Sequence, residues 1–340
     1  MAAYGYMFLS VLMFSLFPLA MALGSLYGAI WFLLLALTVS AILSLVCYAL
    51  FIMRRPQVHG AFKAYLKQAS LEDYLFMAFA SLCAVLNYVF LVFAMNLMSS
   101  AGAAVIYETW PIFSMFLAPL IIRKAWSKAR PIQYVLAGAA LIGILVISLG
   151  EQNMSLAEMF HPAEIAKTMN EVDLYRMLGS VLAFFGGVML ALFVNMRTEI
   201  SNRMKQFHND LSNDIDTTVA GELIVRCGSI PFVLMALAFM PLEDRVMNEA
   251  VIAPAIGVAL ILYFGNMAFT MALLKTSSAA IHIMYYIVPA LAVFWLALFG
   301  LAEINDTITA GIMIIIAANL LAALPGRKRV QPKLVELDTK

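Results

Sequence analysis

The sequence predicts an all-α integral membrane protein of about ten transmembrane helices, arranged as two inverted five-helix repeats. The chain has 340 residues, of which 64% are hydrophobic and 12% are charged, whereas soluble domains are roughly 45–50% apolar and about 25% charged. Its apolar runs repeatedly reach the roughly 20 residues with which a helix crosses about 30 Å of hydrocarbon. Its Lys and Arg residues fall mainly in every second connecting segment, which is the pattern of a multi-pass protein.

Ten apolar windows, separated by charged or turn-rich breaks, define the predicted spans. Those of the first half are residues 2–22, 28–52, 74–97, 99–122 and 131–149. Those of the second half are residues 176–197, 217–241, 250–273, 277–300 and 306–324. The joins at 98–100 and 275–276 contain almost no polar loop, and each joined run is too long for one crossing. We therefore expect a tight helical hairpin at both joins.

These spans divide the chain into two repeats and two further segments. Residues 1–149 form the first predicted repeat and residues 176–325 form the second. Residues 150–175 form a predicted external linker, with room for a short interfacial helix around 156–169. Residues 326–340 form a predicted cytoplasmic tail.

The distribution of basic residues indicates the orientation, because Lys and Arg near helix ends are retained on the cytoplasmic side. One set of connecting segments contains seventeen of them: Arg54, Arg55, Lys63, Lys67, Arg123, Lys124, Lys128, Arg130, Arg197, Arg203, Lys205, Lys275, Arg327, Lys328, Arg329, Lys333 and Lys340. The opposite set contains only Lys167, Arg176 and Arg245. We therefore expect both termini in the cytoplasm and a multi-pass location in a bacterial inner membrane.

Charge and cysteine content limit the partners of the chain. The net charge is +1, without the extended basic face that nucleic-acid binding needs. Cys47, Cys83 and Cys227 lie in apolar segments and lack metal-ligand spacing. No disulfide, metal site or cofactor is therefore expected, and neither is a nucleic-acid partner. The expected partners are a small-molecule substrate and membrane lipid, with a monomer or homodimer as the working unit.

An internal repeat relates the fourth and ninth predicted spans. At a constant offset of 178 positions, Ala94 matches Ala272, Ser99-Ser100-Ala101 matches Ser277-Ser278-Ala279, Tyr107 matches Tyr285, and Pro111 matches Pro289. Two copies of a five-span unit must enter the membrane from opposite sides, because five is odd. Inverted repeats place a substrate site at their interface near the bilayer midplane, and rocking of the halves exposes that site to each side in turn. The repeat therefore predicts transport.

The segments that carry this repeat also resemble a known family. Residues 93–104 with Pro111, and residues 271–280 with Pro289, each combine an Ala-rich helix start with a mid-helix proline. In these features the chain resembles ten-helix members of the drug/metabolite transporter superfamily with two EamA-type halves. The resemblance covers most of residues 1–325.

This resemblance implies efflux of a small metabolite by alternating access, often of an amino acid or a related amine-bearing solute. Organic-cation or multidrug transport is the alternative, and proton coupling stays open. The first half departs from the family pattern, since it has Ala125 where the second half has Glu303. The external segment 150–175 is also longer than is usual in such proteins.

Glu108 is the first candidate site residue. It lies about nine residues, or roughly 14 Å, into the fourth span, near the membrane midplane, and it is flanked by Tyr107 and Trp110. An ionisable group at this depth costs several kcal/mol unless it faces a cavity or a partner. Such a carboxyl suits proton exchange or, when ionised, the binding of an amine. The alternative is a protonated Glu108 that only hydrogen-bonds a neighbouring helix.

The ninth span supplies further candidates in the same register. Tyr286 occupies the position equivalent to Glu108, with Tyr285 beside it and His282 one turn earlier. A histidine titrates near neutral pH and could share protons with a carboxyl, although a packing role is equally open. Aromatic side chains at such a site could also form a cage for a quaternary ammonium.

Three amide or phenol side chains and one arginine complete the predicted site. Asn87 and Tyr88 in the third span are near neighbours of Asn266 in the 178-residue register, and either ligand contact or helix–helix hydrogen bonding would explain them. Glu222 and Arg226 have the spacing of an intrahelical ion pair. Arg226 is nevertheless retained as a candidate for contact with an anionic group of the substrate.

Other classes of function lack their signatures in this sequence. There is no His-Glu-x-x-His pair, no Gly-x-Ser-x-Gly turn, no pair of membrane-embedded aspartates and no phosphate-binding loop. An enzyme is therefore not expected, and no catalytic residue is assigned. A receptor or a non-transporting scaffold stays open, although neither needs an inverted repeat. Candidate kinks lie at Pro18, Pro111, Pro231 and Pro289.

Overall fold

The computed structural model describes residues 2–51, 53–122, 131–151, 171–207, 214–239, 248–275, 284–285, 287–302 and 305–323. Nearly all of these residues are helical and none of them lies in a β-strand. The predicted all-α class is therefore confirmed for this part of the chain. The predicted interfacial helix, the tail, His282, Tyr286 and Glu303 lie outside the described residues.

The described helices are numbered here in chain order. They are α1 Ala2–Ser25, α2 Ala29–Phe51, α3 Pro56–Gln68, α4 Leu71–Leu97, α5 Ser100–Tyr107, α6 Trp110–Ile121, α7 Pro131–Glu151, α8 Glu171–Phe207, α9 Asp214–Phe239, α10 Ile252–Leu260, α11 Asn266–Lys275, α12 Val288–Leu298 and α13 Asp306–Ala323. A 3₁₀ turn, Glu249–Val251, precedes α10, and a π-helical turn, Ile261–Gly265, joins α10 to α11.

Within the described ranges, six helical segments are long and apolar enough to cross a membrane. They lie in α1, α2, α4, α8, α9 and the continuous stretch from the 3₁₀ turn through α11. Shorter apolar helices lie in α7, α12 and α13. The chain is therefore a multi-pass membrane protein.

Helix α8 is longer than predicted, and the prediction that Arg197, Arg203 and Lys205 lie in a loop was wrong. One continuous helix contains all three residues. Within it, Arg203 Nη1 lies 2.6 Å from Asp73 Oδ1 of α4, and Arg203 Nε lies 3.2 Å from Glu199 Oε1. Arg203 therefore has carboxylate partners on its own helix and on α4. Because its charge is paired there, the helix can continue past it.

The basic segment before α4, predicted as a connecting loop, contains the amphipathic helix α3. Pro56 occupies the first turn, where its missing N–H costs no hydrogen bond. Phe62 and Tyr65 belong to its buried face, which packs in one cluster with residues of α8 and α9. Burial, followed by the charge of Asp73, raises the pKa of the Tyr65 phenol to about 12.

The predicted tight connection at 98–100 is present. Helix α4 begins with a capping box in which Ser70 Oγ accepts from the Asp73 backbone N–H at 3.2 Å and Asp73 accepts from the Ser70 N–H at 3.1 Å. Two residues after α4 ends, Ser99 Oγ caps α5 by accepting from the Gly102 N–H at 3.0 Å. The other predicted hairpin, at 275–276, continues into residues outside the described ranges.

The four prolines named above behave differently. The helix is continuous through Pro18 in α1 and through Pro231 in α9. Pro111 instead follows a break between α5 and α6, and Pro289 lies at the start of α12. The two prolines that match in the 178-residue register are therefore the two that lie at helix starts.

The helices pack in a small number of extensive pairs. Helix α4 packs against α8, α7 against α13, and α2 against α9. Helix α1 packs against the stretch from α10 to α11 and against α12, and α8 also contacts α5 and α6. The largest buried apolar cluster draws residues from both ends of the sequence, including Phe17, Tyr107 and Leu262.

Glycines allow α7 and α13 to approach closely. A Cβ on Gly143 would lie 2.6 Å from Cγ1 of Ile315, and a Cβ on Gly311 would lie 2.6 Å from Cγ1 of Ile147 and 2.8 Å from the Gly143 carbonyl oxygen. Nearer the start of α13, Gly150 lies against Ile308. Residue numbers therefore rise along α7 as they fall along α13, so the two helices run antiparallel.

Candidate functional site

The fourth predicted span is not one continuous helix, because it breaks at Glu108 and Thr109. Pro111 has no N–H to donate to the Tyr107 carbonyl one turn earlier, so the α-helical hydrogen-bond ladder is interrupted there. The Glu108 N–H still bonds to the Ala104 carbonyl at 3.0 Å. Gly187 of α8 packs on the break, since a Cβ at this position would lie 2.8 Å from the backbone carbonyl oxygen of Tyr107. The break therefore holds Glu108 at a fixed place against α8.

A cavity lies beside this break, with about 480 Å³ of space between atoms, part of which is open to solvent. Its lining residues are Phe14, Phe17, Tyr88, Tyr107, Glu108, Trp110, Leu190, Val194, Arg197, Leu262, Asn266, Phe269 and Tyr285. They come from α1, α4, α5, α6, α8, α11, the break, the π-helical turn and the residues before α12. Both predicted repeats therefore contribute to its wall.

Seven aromatic rings form most of the cavity wall. The ring of Tyr285 makes edge contacts with Phe269, Phe14 and Trp110, at centroid distances of 5.1, 5.8 and 5.8 Å. Elsewhere in the wall, the Tyr107 hydroxyl donates to Asn87 Oδ1 at 2.9 Å. These contacts hold the rings in defined positions.

Glu108 and Trp110 bring polar atoms to this wall, and the Trp110 indole lies close to the Glu108 carboxyl. Glu108 is 3% exposed and Trp110 is 7% exposed. Neither Glu108 Oε2 nor Trp110 Nε1 has a hydrogen-bond partner among the described residues. Buried polar groups are nearly always hydrogen-bonded, so a buried carboxyl whose nearby indole N–H forms no bond of good geometry marks a place where a ligand can supply a better partner.

A charged network adjoins the cavity at Arg197. Glu222 of α9 contacts Arg197 Nη1 through Oε1 and, at 3.2 Å, Arg226 Nε through Oε2. Arg226 Nη1 donates to the Tyr88 hydroxyl at 3.3 Å, and Arg197 Nη2 donates to Thr270 Oγ1 at 3.3 Å. The ion pair expected between Glu222 and Arg226 is therefore present, but it includes a second arginine from another helix.

The π-helical turn lies opposite the break. Leu262 and Asn266 from this stretch line the cavity, and Asn266 Nδ2 donates to the Leu262 carbonyl. Asn87 of α4, one position before the residue that matches Asn266 in the 178-residue register, donates to the carbonyls of Cys83 and Ala84 at 3.0 and 2.7 Å. Single π-helical turns inside α-helices are frequent at functional sites, because they re-aim the side chains that follow them.

The structure brings together most of the residues predicted for the site. Those that line the cavity are Tyr88, Tyr107, Glu108, Trp110, Asn266 and Tyr285. Asn87 and Arg226 lie behind the wall, where they hydrogen-bond to Tyr107 and Tyr88, respectively. His282 and Tyr286 lie outside the described residues, so the predicted pairing of His282 with Glu108 stays a prediction.

The principal residue that sequence reasoning missed is Arg197. It ends a predicted apolar span, and a basic residue in that position is usually read as the start of a cytoplasmic loop. The aromatic residues Phe14, Phe17 and Phe269 were also missed, because they are indistinguishable in sequence from the many lipid-facing rings. No local signal separates these residues from their neighbours.

Comparisons with known proteins identify a similar fold and no family. No protein-family model and no curated protein matches the chain. A solved structure described only as "Crystal structure of protein" has 16% sequence identity to this chain and a TM-score of 0.50. That match covers 94% of this chain and 96% of the other. The chain therefore shares its overall helical fold, over nearly its whole length, with a solved protein.

Proposed function

We propose that the chain is a secondary transporter that moves a small amine-bearing metabolite, such as an amino acid, out of the cell by alternating access. One observation carries the proposal: the buried carboxyl of Glu108, whose Oε2 makes no hydrogen bond of good geometry, lies at a helix break in the wall of a cavity lined by residues of both predicted halves. Broken helices that present polar groups inside a membrane bundle are the usual construction of transporter sites.

The helix pairings support two related halves. If each half contributes five spans, α4 is the third span and α8 the sixth, while α1 is the first span and the α10–α11 stretch the eighth. Exchange of the two halves would convert the pairing of α4 with α8 into that of α1 with the α10–α11 stretch, and both pairings are present. The contact of α5 and α6 with α8 is likewise matched by the contact of α12 with α1. Exchange of the two halves would leave the pairing of α2 with α9 unchanged, and it would also leave that of α7 with α13 unchanged. This is the packing expected of a two-fold pseudo-symmetric bundle.

The antiparallel course of α7 and α13 favours inversion of one half. These helices would be the fifth and tenth spans, so inverted repeats require them to run in opposite directions. Their glycine contacts are also reciprocal, since Gly143 meets the residue four after Gly311, and Gly311 meets the residue four after Gly143. A pseudo-two-fold axis through this crossing would generate such a pair.

We further propose a bacterial inner membrane location with both termini in the cytoplasm. Moving Arg197 from a loop into the bundle leaves sixteen of the seventeen basic residues on the proposed cytoplasmic side. Three basic residues remain on the opposite side. The charge bias on which the orientation rests is therefore almost unchanged.

Uptake into proteoliposomes tests the proposed function. Wild-type protein should move at least one solute from a panel of radiolabelled amino acids, primary amines and quaternary ammonium compounds. We expect Glu108→Gln to weaken that solute's binding about tenfold or more, because a hydrogen bond to a charged group is lost. Glu171→Gln, which changes an exposed carboxyl at the start of α8, is the matched control.

Two results would contradict this assignment. Absence of transport for every solute, with and without a pH gradient, would exclude transport of these classes. Unchanged binding and unchanged response to the gradient in Glu108→Gln would remove Glu108 from the mechanism. Loss of the gradient response alone would assign Glu108 to proton coupling.

Transport of organic cations is a second candidate, favoured by the aromatic wall. Seven rings around one carboxyl resemble an aromatic cage, in which a cation binds over ring faces. Uptake of a quaternary ammonium probe, with no uptake of any amino acid, would favour this function. A quaternary ammonium cannot donate a hydrogen bond to Glu108, so its binding would depend more on Tyr285 and Trp110.

A further inference from the structure

Two buried arginines share one carboxylate beside the cavity. Arg197 and Arg226 both contact Glu222, and the ring of Phe193 lies 5.8 Å from each guanidinium carbon. In the described part of the chain, no other carboxylate makes an ion pair with either arginine. Arginine stays protonated in proteins, so two positive charges face one negative charge and the group carries one excess positive charge.

This excess charge is shielded from water. The side chains of Arg197, Glu222 and Arg226 are 8%, 0% and 1% exposed. An uncompensated ion in such surroundings is unfavourable by several kcal/mol even after the protein relaxes. An anion nearby therefore stabilises this arrangement, and the candidates are an ionised Glu108, which lines the same cavity as Arg197, and the anionic group of a bound solute.

The guanidinium donors are also incompletely used. Arg226 Nη2 has no hydrogen-bond partner among the described residues. Arg197 Nη2 and Arg226 Nη1 reach only neutral hydroxyls, on Thr270 and Tyr88, and both at 3.3 Å. A guanidinium that contacts a carboxylate typically forms bonds of about 2.7–2.9 Å. The two guanidinium groups can therefore donate stronger hydrogen bonds to an anion than they donate to these two hydroxyls.

The network faces the cavity at two points. Arg197 and Tyr88 line the same space as Glu108. A solute in this space therefore meets a carboxyl at the helix break and a guanidinium on α8, with aromatic rings between them. The planar fork of Arg197 matches a carboxylate and does not suit an ammonium group.

We infer that Arg197 forms an anion subsite, with Arg226 and Tyr88 behind it, and that the cavity selects a zwitterion with an apolar side chain. The solute's amine binds at Glu108, its carboxylate binds at Arg197, and its side chain lies among the rings. This inference rests on the proposed function, because it takes Glu108 as the amine site. It adds a second requirement, a carboxylate, that the amine site alone does not impose.

Four related probes test this requirement in the purified full-length protein. Phenylalanine carries both charges, phenylalanine amide and phenethylamine lack the carboxylate, and 3-phenylpropanoate lacks the amine. Thermal stabilisation as a function of concentration gives the affinity of each probe. We expect phenylalanine to bind about tenfold or more tightly than the amide, because the charged contact at Arg197 is lost.

Substitution of the arginine should remove this discrimination. Arg197→Gln leaves Glu222 paired with Arg226 and removes the excess charge, so the fold is expected to survive. In this variant phenylalanine and its amide should bind with affinities within about twofold. Arg197→Lys keeps the charge but loses the fork and should give an intermediate ratio. Arg55→Gln, the same change at a half-exposed arginine outside the cavity lining, should keep the wild-type ratio.

The outcomes separate the two proposals. Equal binding of phenylalanine and its amide to the wild type, or an unchanged ratio in Arg197→Gln, would overturn the anion subsite while leaving amine transport intact. Absence of binding by all four probes would also overturn it, and the solute panel in proteoliposomes would then decide the proposed function alone. Weaker binding of phenylalanine in Glu108→Gln, together with an amide ratio that is lost in Arg197→Gln and kept in Arg55→Gln, would support both proposals.

Discussion

In the described part of the chain, arginine–carboxylate contacts lie beside the cavity, near the start of α4 and at Arg55, and these regions differ in burial and in charge balance. Beside the cavity, Arg197 and Arg226 share Glu222, and none of the three side chains is more than 8% exposed. Near the start of α4, Arg203 contacts Asp73 and Glu199 with 15–25% exposure of Arg203 and Asp73. Farther out, Arg55 makes a two-bond contact with Asp216 while it is 51% exposed.

This comparison distinguishes charges that hold helices together from charges that can bind a solute. At the start of α4, Arg203 and Asp73 are partly exposed, so water and dissolved ions can offset part of the residual charge, although Glu199 is only 2% exposed. Beside the cavity, the excess charge has no such screening and must be met by the protein or its ligand. Burial together with imbalance therefore identifies the functional region.

The largest effect is expected for Glu222→Gln. This change leaves two buried guanidiniums without their carboxylate, and breaking a buried pair in this way costs about 3–5 kcal/mol. Thermal unfolding in detergent should show a marked loss of stability. The double variant Glu222→Gln/Arg226→Gln should recover part of that loss, because it returns the group to one excess charge. A double variant less stable than the single one would contradict this account.

An intermediate effect is expected for Arg203→Gln. Glu199 is only 2% exposed on its side chain and would lose its cation, whereas Asp73 would keep its bonds to Ser70. The loss of a charged hydrogen bond from a buried carboxylate costs about 1–3 kcal/mol. Arg203→Lys should recover part of it, since the charge returns without the stacking on Phe76, whose ring centroid lies 4.4 Å away. Equal stability of all three proteins would contradict the assignment.

The smallest effect is expected for Arg55→Gln. Exposed ion pairs contribute about 0–1 kcal/mol even when the geometry is good. The difference from wild type should shrink further as salt is raised towards 1 M, where the screening length is about 3 Å. A loss as large as that of Arg203→Gln, unaffected by salt, would show that Arg55 and Asp216 have a role beyond surface attraction.

Much of the fold could be predicted from the sequence, because hydrophobic length is a local property. The predicted starts and ends of α2, α7 and α13 lie within two residues of those observed. Helix α3 was missed because its apolar residues are few and become a buried face only against α8 and α9. The extension of α8 was missed because it depends on Asp73, which is 130 residues away in the chain.

The candidate site was predicted only in part, because a sequence pattern shows local properties and does not show contacts between distant residues. Glu108 was identifiable because a single acid interrupts a long apolar run, and its unpaired Oε2 in a cavity wall agrees with that expectation. Arg197 was not identifiable, because its partner Glu222 lies 25 residues away on another helix. Tyr107 and Tyr285, which the 178-residue register pairs, both line this cavity.

The sequence by itself determined that this protein is helical, that it lies in a membrane, and that Glu108 is a buried acid. These properties follow from composition, span length and the position of one residue within a span. Only the tertiary structure decided which charges meet, since Arg197 reaches Glu222 through the packing of α8 against α9. Ion pairs between helices depend on distances in space that no local pattern encodes, and the excess charge at the cavity is one such result.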